Sequence, residues 1–342
     1  MESEYLNSLK EIFKQMFKKD SKKIFFEWLY CAVVGNQMRT KLGSRLSGAV
    51  NTTISGDGLM LNIYECLLDI SRVIFDRGQT MYQNIDPEYF QYSEHCKLCQ
   101  YEPLNSRKGI ENPKMEIEKK EFGTITEYFF LTFEMLHAGV IPTLHNFQEV
   151  NETKDRIEKE LERLGREHPM YSRGEKELQK LKVKFFQYYL VLLDDTKIKA
   201  TVRLMDTLLF LLPTWLGIDL TAFRRGRLHQ YQRPFLSTVL PEFLLNDIFE
   251  YHQFFCRYKE NHVQLLGKEH LHSIIQTLCI LLTEEGPSSN PYVCANFIEL
   301  LFTFIMIKKD VMGGVLLGIV QELQVLKGLL VLLGQMVIVL IR

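Results

Sequence analysis

Cys96-Lys-Leu-Cys99, with His95 beside it, has the inner spacing of a zinc ligand pair, since two thiolates so placed can reach one tetrahedral cation. A structural site needs four ligands. The next cysteine is Cys256, far away and without a paired neighbour, and His137 and His145 stand at no recognisable spacing. The pair therefore reads as a loop dithiol without metal. His270 and His272 flank Leu271, and residues two apart on a helix point to different sides, so they read as solvated or capping groups. Asp194-Asp195 diverge similarly, whereas acid–base work needs two carboxylates facing one site, so they read as surface charge. Gly56-Asp-Gly58 lacks a Walker pattern and a Rossmann context, and reads as a helix start and not a phosphate cradle. Arg224-Arg225-Gly-Arg227 is a small basic cluster, solvated by default, with charge to meet an acidic partner or RNA. No catalytic, cofactor-binding or metal-binding residue emerges, and no cofactor is implied.

Composition narrows the class. Of 342 residues, 46% are hydrophobic, with 23 Phe and 15 Tyr, which is ample for a continuous core. The formal net charge of −1 argues against a protein built mainly to bind nucleic acid. Seven cysteines, odd in number and scattered through apolar segments, read as reduced thiols of a cytosolic or nuclear protein. The first twenty residues are charged and amphipathic, unlike a secretory signal.

The elements that would have to position any site are helical. Leu6, Leu9, Ile12, Phe13, Met16 and Phe17 fall on one helical face, and Gly58 to Phe75 is apolar on most sides, as in a helix buried between neighbours. Phe90 to Phe122 is polar and irregular and reads as a long loop. Val150, Ile157, Leu161 and Leu164, a break from Gly165 to Gly174, and then Leu178, Leu181, Phe185, Tyr188 and Tyr189 predict an antiparallel helical hairpin. A further helix, Leu204 to Leu212, is stopped by Pro213, and three more run from Pro241, from about Glu269 and from Pro291, the last capped by Asn290. The fold expected is an all-α, elongated array of stacked helices, solenoid-like without repeated wording.

Four segments carry a family resemblance. Leu46 to Asn62, with Ser55-Gly-Asp-Gly-Leu-Met-Leu-Asn62, resembles the Ser-x-Asp-Gly-Phe-x-Leu-Asn helix start of the ubiquitin conjugation factor E4 family, with Gly56 in the usual threonine position and Leu59 in the usual phenylalanine position. Asn84-Ile-Asp-Pro-Glu-Tyr89 resembles that family's Ile-Asp-Pro-x-Tyr turn. Thr126-Glu-Tyr-Phe-Phe-Leu-Thr-Phe133, leading to Ile141-Pro142, resembles its Thr-Glu-x-Phe-Phe-Leu-Thr helix. Leu240-Pro-Glu-Phe243 and Asn290-Pro-Tyr292 follow in the family's order, so the resemblance spans Lys22 to Phe304.

The resemblance implies part of the armadillo-like core of a U-box ubiquitin ligase that lengthens ubiquitin chains. In such ligases a zinc-free U-box recruits the ubiquitin-conjugating enzyme, and no covalent ubiquitin intermediate forms on the ligase. It also implies ubiquitinated substrates and a segregase ATPase of the Cdc48/p97 kind as partners, a role in ubiquitin-dependent protein degradation, and a place in cytoplasm and nucleus. Residues 1–307 are expected to form the partial core and residues 308–342 an atypical apolar tail, a mis-translated or alternative end. Val311 onward resembles no part of the family's continuation and nothing reads as a U-box, so the chain alone is expected to be inactive. The alternative is a non-enzymatic helical adaptor for the same partners. A membrane-tethered protein would rest on Val311 to Ile341, but the longest uncharged run, Gly328 to Ile341, is 14 residues. About 20 are needed to span a bilayer. Spanning with the whole stretch would bury Glu322 and Lys327 at roughly 2.5–3.5 kcal/mol each.

Overall fold

A computed structural model of the chain describes residues 2–18, 20–42, 54–99, 101–104, 120–218, 239–259, 262–281 and 291–307. Among these the regular structure is helical, and the all-α array of helices is realised. The helices are α1 (Glu2–Met16), α2 (Lys22–Asn36), α3 (Met38–Leu42), α4 (Asp57–Arg77), α5 (Gln79–Tyr82), α6 (Tyr89–Tyr92) and α7 (Glu94–Cys99). After α8 (Thr124–Met135) a π-helical turn, Leu136–Val140, leads into α9 (Ile141–Leu164), α10 (Tyr171–Leu192), α11 (Asp195–Trp215), α12 (Phe243–Tyr258), α13 (His262–Leu281) and α14 (Pro291–Ile307). The chain divides into two compact units, Met1–Ile70 with Leu131–Ala200, and Ser71–Phe130 with Thr201–Arg342.

In the first unit the aromatic side of α1 seats on α2, where Phe13 and Phe17 meet the ring of Phe25 at 4.9 and 4.7 Å. The buried stripe is narrower than the sequence pattern, for Phe13 is buried while Ile12 stays 56% exposed. Helix α4 buries Met60, Ile63, Cys66, Leu67 and Leu68 but leaves Leu59 exposed, so its apolar residues are not all covered. Gly139, in the π-helical turn, lies against Met60, and a Cβ built there would stand 3.2 Å from Met60 Cβ and 3.4 Å from the Met60 carbonyl oxygen. That is tighter than ordinary contact, and glycine allows it without a shift of α4.

The expected helical hairpin is α9 and α10. Gly165 ends α9 with φ 73°, a left-handed conformation that disfavours any residue with a Cβ. Phe147 stacks on Phe185 at 5.0 Å, Lys154 covers the Phe185 ring at 4.7 Å, and Lys182 pairs with Glu158 at 2.7 Å. The break is shorter than the sequence suggests. Gly174 lies inside α10, where a Cβ would come within 2.8 Å of Leu161 Cδ2. It is a packing glycine and not a helix breaker.

In the second unit, the segments that carry the family resemblance turn out to be joints. Thr126 Oγ1 donates to the Asn84 carbonyl at 2.9 Å and accepts the Asp86 amide at 3.1 Å, tying the Ile-Asp-Pro turn to α8. Tyr89 stacks on Phe130 at 4.9 Å and its hydroxyl donates to Glu127 at 3.3 Å. Leu104 N–H donates to the Leu240 carbonyl at 2.7 Å and Glu242 N–H to the Glu102 carbonyl at 2.9 Å, so the Leu-Pro-Glu-Phe segment is pinned ahead of α12. Helix α14 packs on α12 through Phe249 and Phe297, 5.8 Å apart, with Gln253 donating to the Asn296 carbonyl at 3.1 Å.

Two expectations need correction. Pro213 does not stop its helix, for α11 runs through it to Trp215. Proline lacks the N–H that would bond the Leu209 carbonyl. The Thr277 hydroxyl donates to that carbonyl instead, at 3.4 Å, so the freed acceptor is satisfied and the helix persists. The helix expected from about Glu269 is found, for Gly267 (φ 75°) splits α13 into two helical pieces and the second begins just after it. The Phe90 to Phe122 loop holds helical residues through α7, and residues 105–119 lie outside the described ones. Arg224, Arg225, Arg227, Asn290 and the 308–342 tail also lie outside them.

Candidate functional site

Asp57 opens α4, so the Gly-Asp-Gly segment is a helix start as expected. Its carboxylate is also the centre of a polar knot. Arg39 of α3 donates from Nη2 to Asp57 Oδ1 at 2.5 Å, from Nε to the Ala138 carbonyl at 2.9 Å and from Nη1 to the Ser55 carbonyl at 2.6 Å. Asn146 of α9 donates to both Asp57 oxygens at 3.2 and 3.0 Å, and the Tyr188 hydroxyl of α10 donates to Oδ2 at 2.5 Å. Burial opposes the Asp57 charge. The Tyr188 and Arg39 hydrogen bonds, the Arg39 charge and Asn146 outweigh it and hold the carboxyl below its ordinary value. Tyr188 is pushed up, first by burial and then by its bond to Asp57, so it remains a neutral donor.

Beside this knot lies a cleft of about 810 Å³, bounded by α1, α4, α10 and the start of α11. On its floor Glu65 is paired with Lys10 at 3.4 Å and with Lys197 at 2.7 Å. Asp194, read from sequence as surface charge, lines the cleft and caps α11, accepting the Thr196 amide at 2.7 Å and the Lys197 amide at 3.4 Å. Burial raises its carboxyl, and the two backbone amides overcome that to lower it. These charges are committed to ion pairs, a cap and the knot.

Histidines supply the second polar cluster, and here the sequence reading is corrected. His270 is neither solvated nor a cap. It is buried, with Nδ1 against Asp206 Oδ1 and Nε2 2.9 Å from His252 Nε2. That separation holds one proton between the rings, so one ring donates and the other accepts. Asp206, His270 and His252 come from α11, α13 and α12, and the two rings are closed to any substrate. The cluster fastens three helices. His272, two residues on, is half-buried.

Cys96 is buried on α7, while the Cys99 side chain lies outside the described residues. Among the described residues no group of three or more His, Cys, Asp and Glu is placed to hold a metal ion. Burial pushes the Cys66 and Cys256 thiols up to about 12, so neither is a thiolate nucleophile at neutral pH. No described helix is long and apolar enough to cross a membrane.

Sequence reasoning missed both polar clusters because their members lie far apart along the chain. Arg39 and Tyr188 flank Asp57 from opposite sides in sequence, and nothing in local spacing joins them. The only local hint is an acidic residue in the first turn of an apolar helix, which suits the helix dipole anyway.

The joints that pin the Ile-Asp-Pro turn, α8, α12 and α14 are the places where the wording resembles ubiquitin ligase cores. A family-wide comparison agrees and reaches further, running past Phe304 and Ile307 into the apolar tail. Matched over residues 2–332, the chain belongs to the ubiquitin elongating factor core family.

Proposed function

We propose that the chain is the scaffold portion of a ubiquitin-protein ligase of the RING-type class, which lengthens ubiquitin chains on substrates bound for degradation. The observation that carries this reading is the match across residues 2–332. The packed joints at Thr126, Tyr89, Leu240 and Phe297 support it, since a scaffold must hold its surfaces at fixed separation. In this reading the core binds ubiquitinated substrate and a Cdc48/p97-type ATPase in cytoplasm and nucleus. A U-box, which no segment here resembles, recruits the charged conjugating enzyme. Ubiquitin passes directly from that enzyme to the acceptor lysine, so in this reading the core needs no nucleophile of its own.

The test is reconstitution. The 342-residue chain is mixed with activating enzyme, conjugating enzyme, ATP, ubiquitin and a pre-ubiquitinated substrate, with binding read by biolayer interferometry and chain length by immunoblot. Binding of the ubiquitinated substrate over its unmodified form, without chain growth, is expected. Chain growth by this chain alone would refute the assignment of recruitment to a U-box, and failure to bind either substrate or ATPase would refute the scaffold.

A further inference from the structure

Val183, Phe186 and Leu190 stand at i, i+3 and i+7 on α10, on the side opposite the buried Leu178 and Leu192. They are 59%, 59% and 75% exposed. The hairpin is closed by the other side of α10, and Phe186 touches that side only edge-on to the Phe185 ring of its own helix, at 5.6 Å. Beside it run Lys176, Lys180 and Lys184 at i, i+4 and i+8, all exposed. Lys182 pairs with Glu158 at 2.7 Å, but none of these three lysines takes part in an ion pair among the described residues. Lys184 stands over the Tyr188 ring, 5.7 Å from its centre. Leu190 and Lys184 also border the cleft beside Asp57, so the two rows run into a concave end.

We propose that the outward face of α10 docks an amphipathic helix of a partner protein, with apolar residues on Val183, Phe186 and Leu190 and an acidic flank on Lys176, Lys180 and Lys184. A straight apolar row spanning two helical turns matches the i, i+3, i+7 anchors by which one helix seats on another. The unneutralised lysines choose the sign of the partner, because complementary charge guides encounter and like charge rejects it. An antiparallel two-fold contact of this face with a second copy of this chain is disfavoured, since it sets the lysine row near its own image. A bilayer is disfavoured too. The concave end beside Leu190 cannot follow a flat surface. This surface stands independently of the ligase reading.

Two fluorescein-labelled helical peptides decide it, sharing one leucine row and flanked by either glutamate or lysine, each titrated by anisotropy against the full chain. The glutamate-flanked peptide should bind roughly tenfold tighter or better, a difference of about 1.4 kcal/mol. Phe186→Ser with Leu190→Ser should weaken it by a similar factor, and Lys180→Glu with Lys184→Glu should reverse the preference. All four positions are exposed, so the circular dichroism melts should match the unsubstituted chain. Equal binding of both peptides, binding that survives the substitutions, or no binding would overturn the proposal. So would lysine-dependent sedimentation with phosphatidylserine vesicles alone, which assigns the face to a bilayer, or a dimer abolished by Leu190→Ser, which assigns it to a second copy.

Discussion

Asp57→Asn removes one charge from the knot that binds α3, α4, α9 and α10, and the structure sets the size of the effect. The Arg39 side chain is 5% exposed and that of Asp57 18%, so water cannot replace the lost carboxylate. Breaking a buried ion pair from one side costs about 3–5 kcal/mol, because the remaining charge is stranded. Arg39 keeps the Ala138 and Ser55 carbonyls, and asparagine can still accept one bond, which places the loss near the lower end, about 3 kcal/mol. The assay is urea unfolding followed by the fluorescence of Trp28, in the first unit, with Trp215 replaced by phenylalanine so that one of the two tryptophans reports. With a slope of about 1–3 kcal/mol per molar, the midpoint should fall by roughly 1–3 M. Adding Arg39→Met should cost much less than its effect in the unsubstituted chain, since no stranded charge then remains, giving a coupling of about 2 kcal/mol. A loss below about 1 kcal/mol, or additive single effects, would refute the buried pair as the organiser of this knot.

The same carboxylate fixes the acid limb of stability. Its folded value lies below the ordinary 3.8, so its contribution is whole above that pH and is lost as pH falls through the folded value; Asp57→Asn should flatten this limb in acid titrations followed by Trp28. Gly139→Ala should lower stability by about 1–3 kcal/mol in thermal melts, because its Cβ meets the Met60 backbone as well as a side chain and backbone cannot turn aside. Thr277→Val should cost about 1 kcal/mol, and less in a Pro213→Ala background where an amide returns to the Leu209 carbonyl. Cys66 and Cys256 should resist iodoacetamide in the native chain, and mass spectrometry should find both alkylated once urea unfolds it, whereas rapid native labelling would contradict their burial.

Much of the architecture is written in local pattern. Helical periodicity marks the α9–α10 hairpin because one face of each helix must be apolar to meet the other, and Gly165 ends α9 because no residue with a Cβ readily takes its φ. The four worded segments give the family, since residues that form joints such as Thr126 and Tyr89 are specific in type. What pattern cannot give is who meets whom. Pro213 reads as a stop because the donor of Leu209's replacement bond, Thr277, is 68 residues away. Gly174 reads as a break because Leu161 is invisible until the hairpin closes. His270 reads as solvated beside His272 because its partners, Asp206 and His252, arrive only when α11, α12 and α13 pack. The sequence by itself determined the helices, the hairpin and the family, all of which depend on residues near one another. Tertiary structure alone decided the Asp57 knot, the histidine pair and the uncovered face of α10, because burial and charge pairing are properties of neighbours in space.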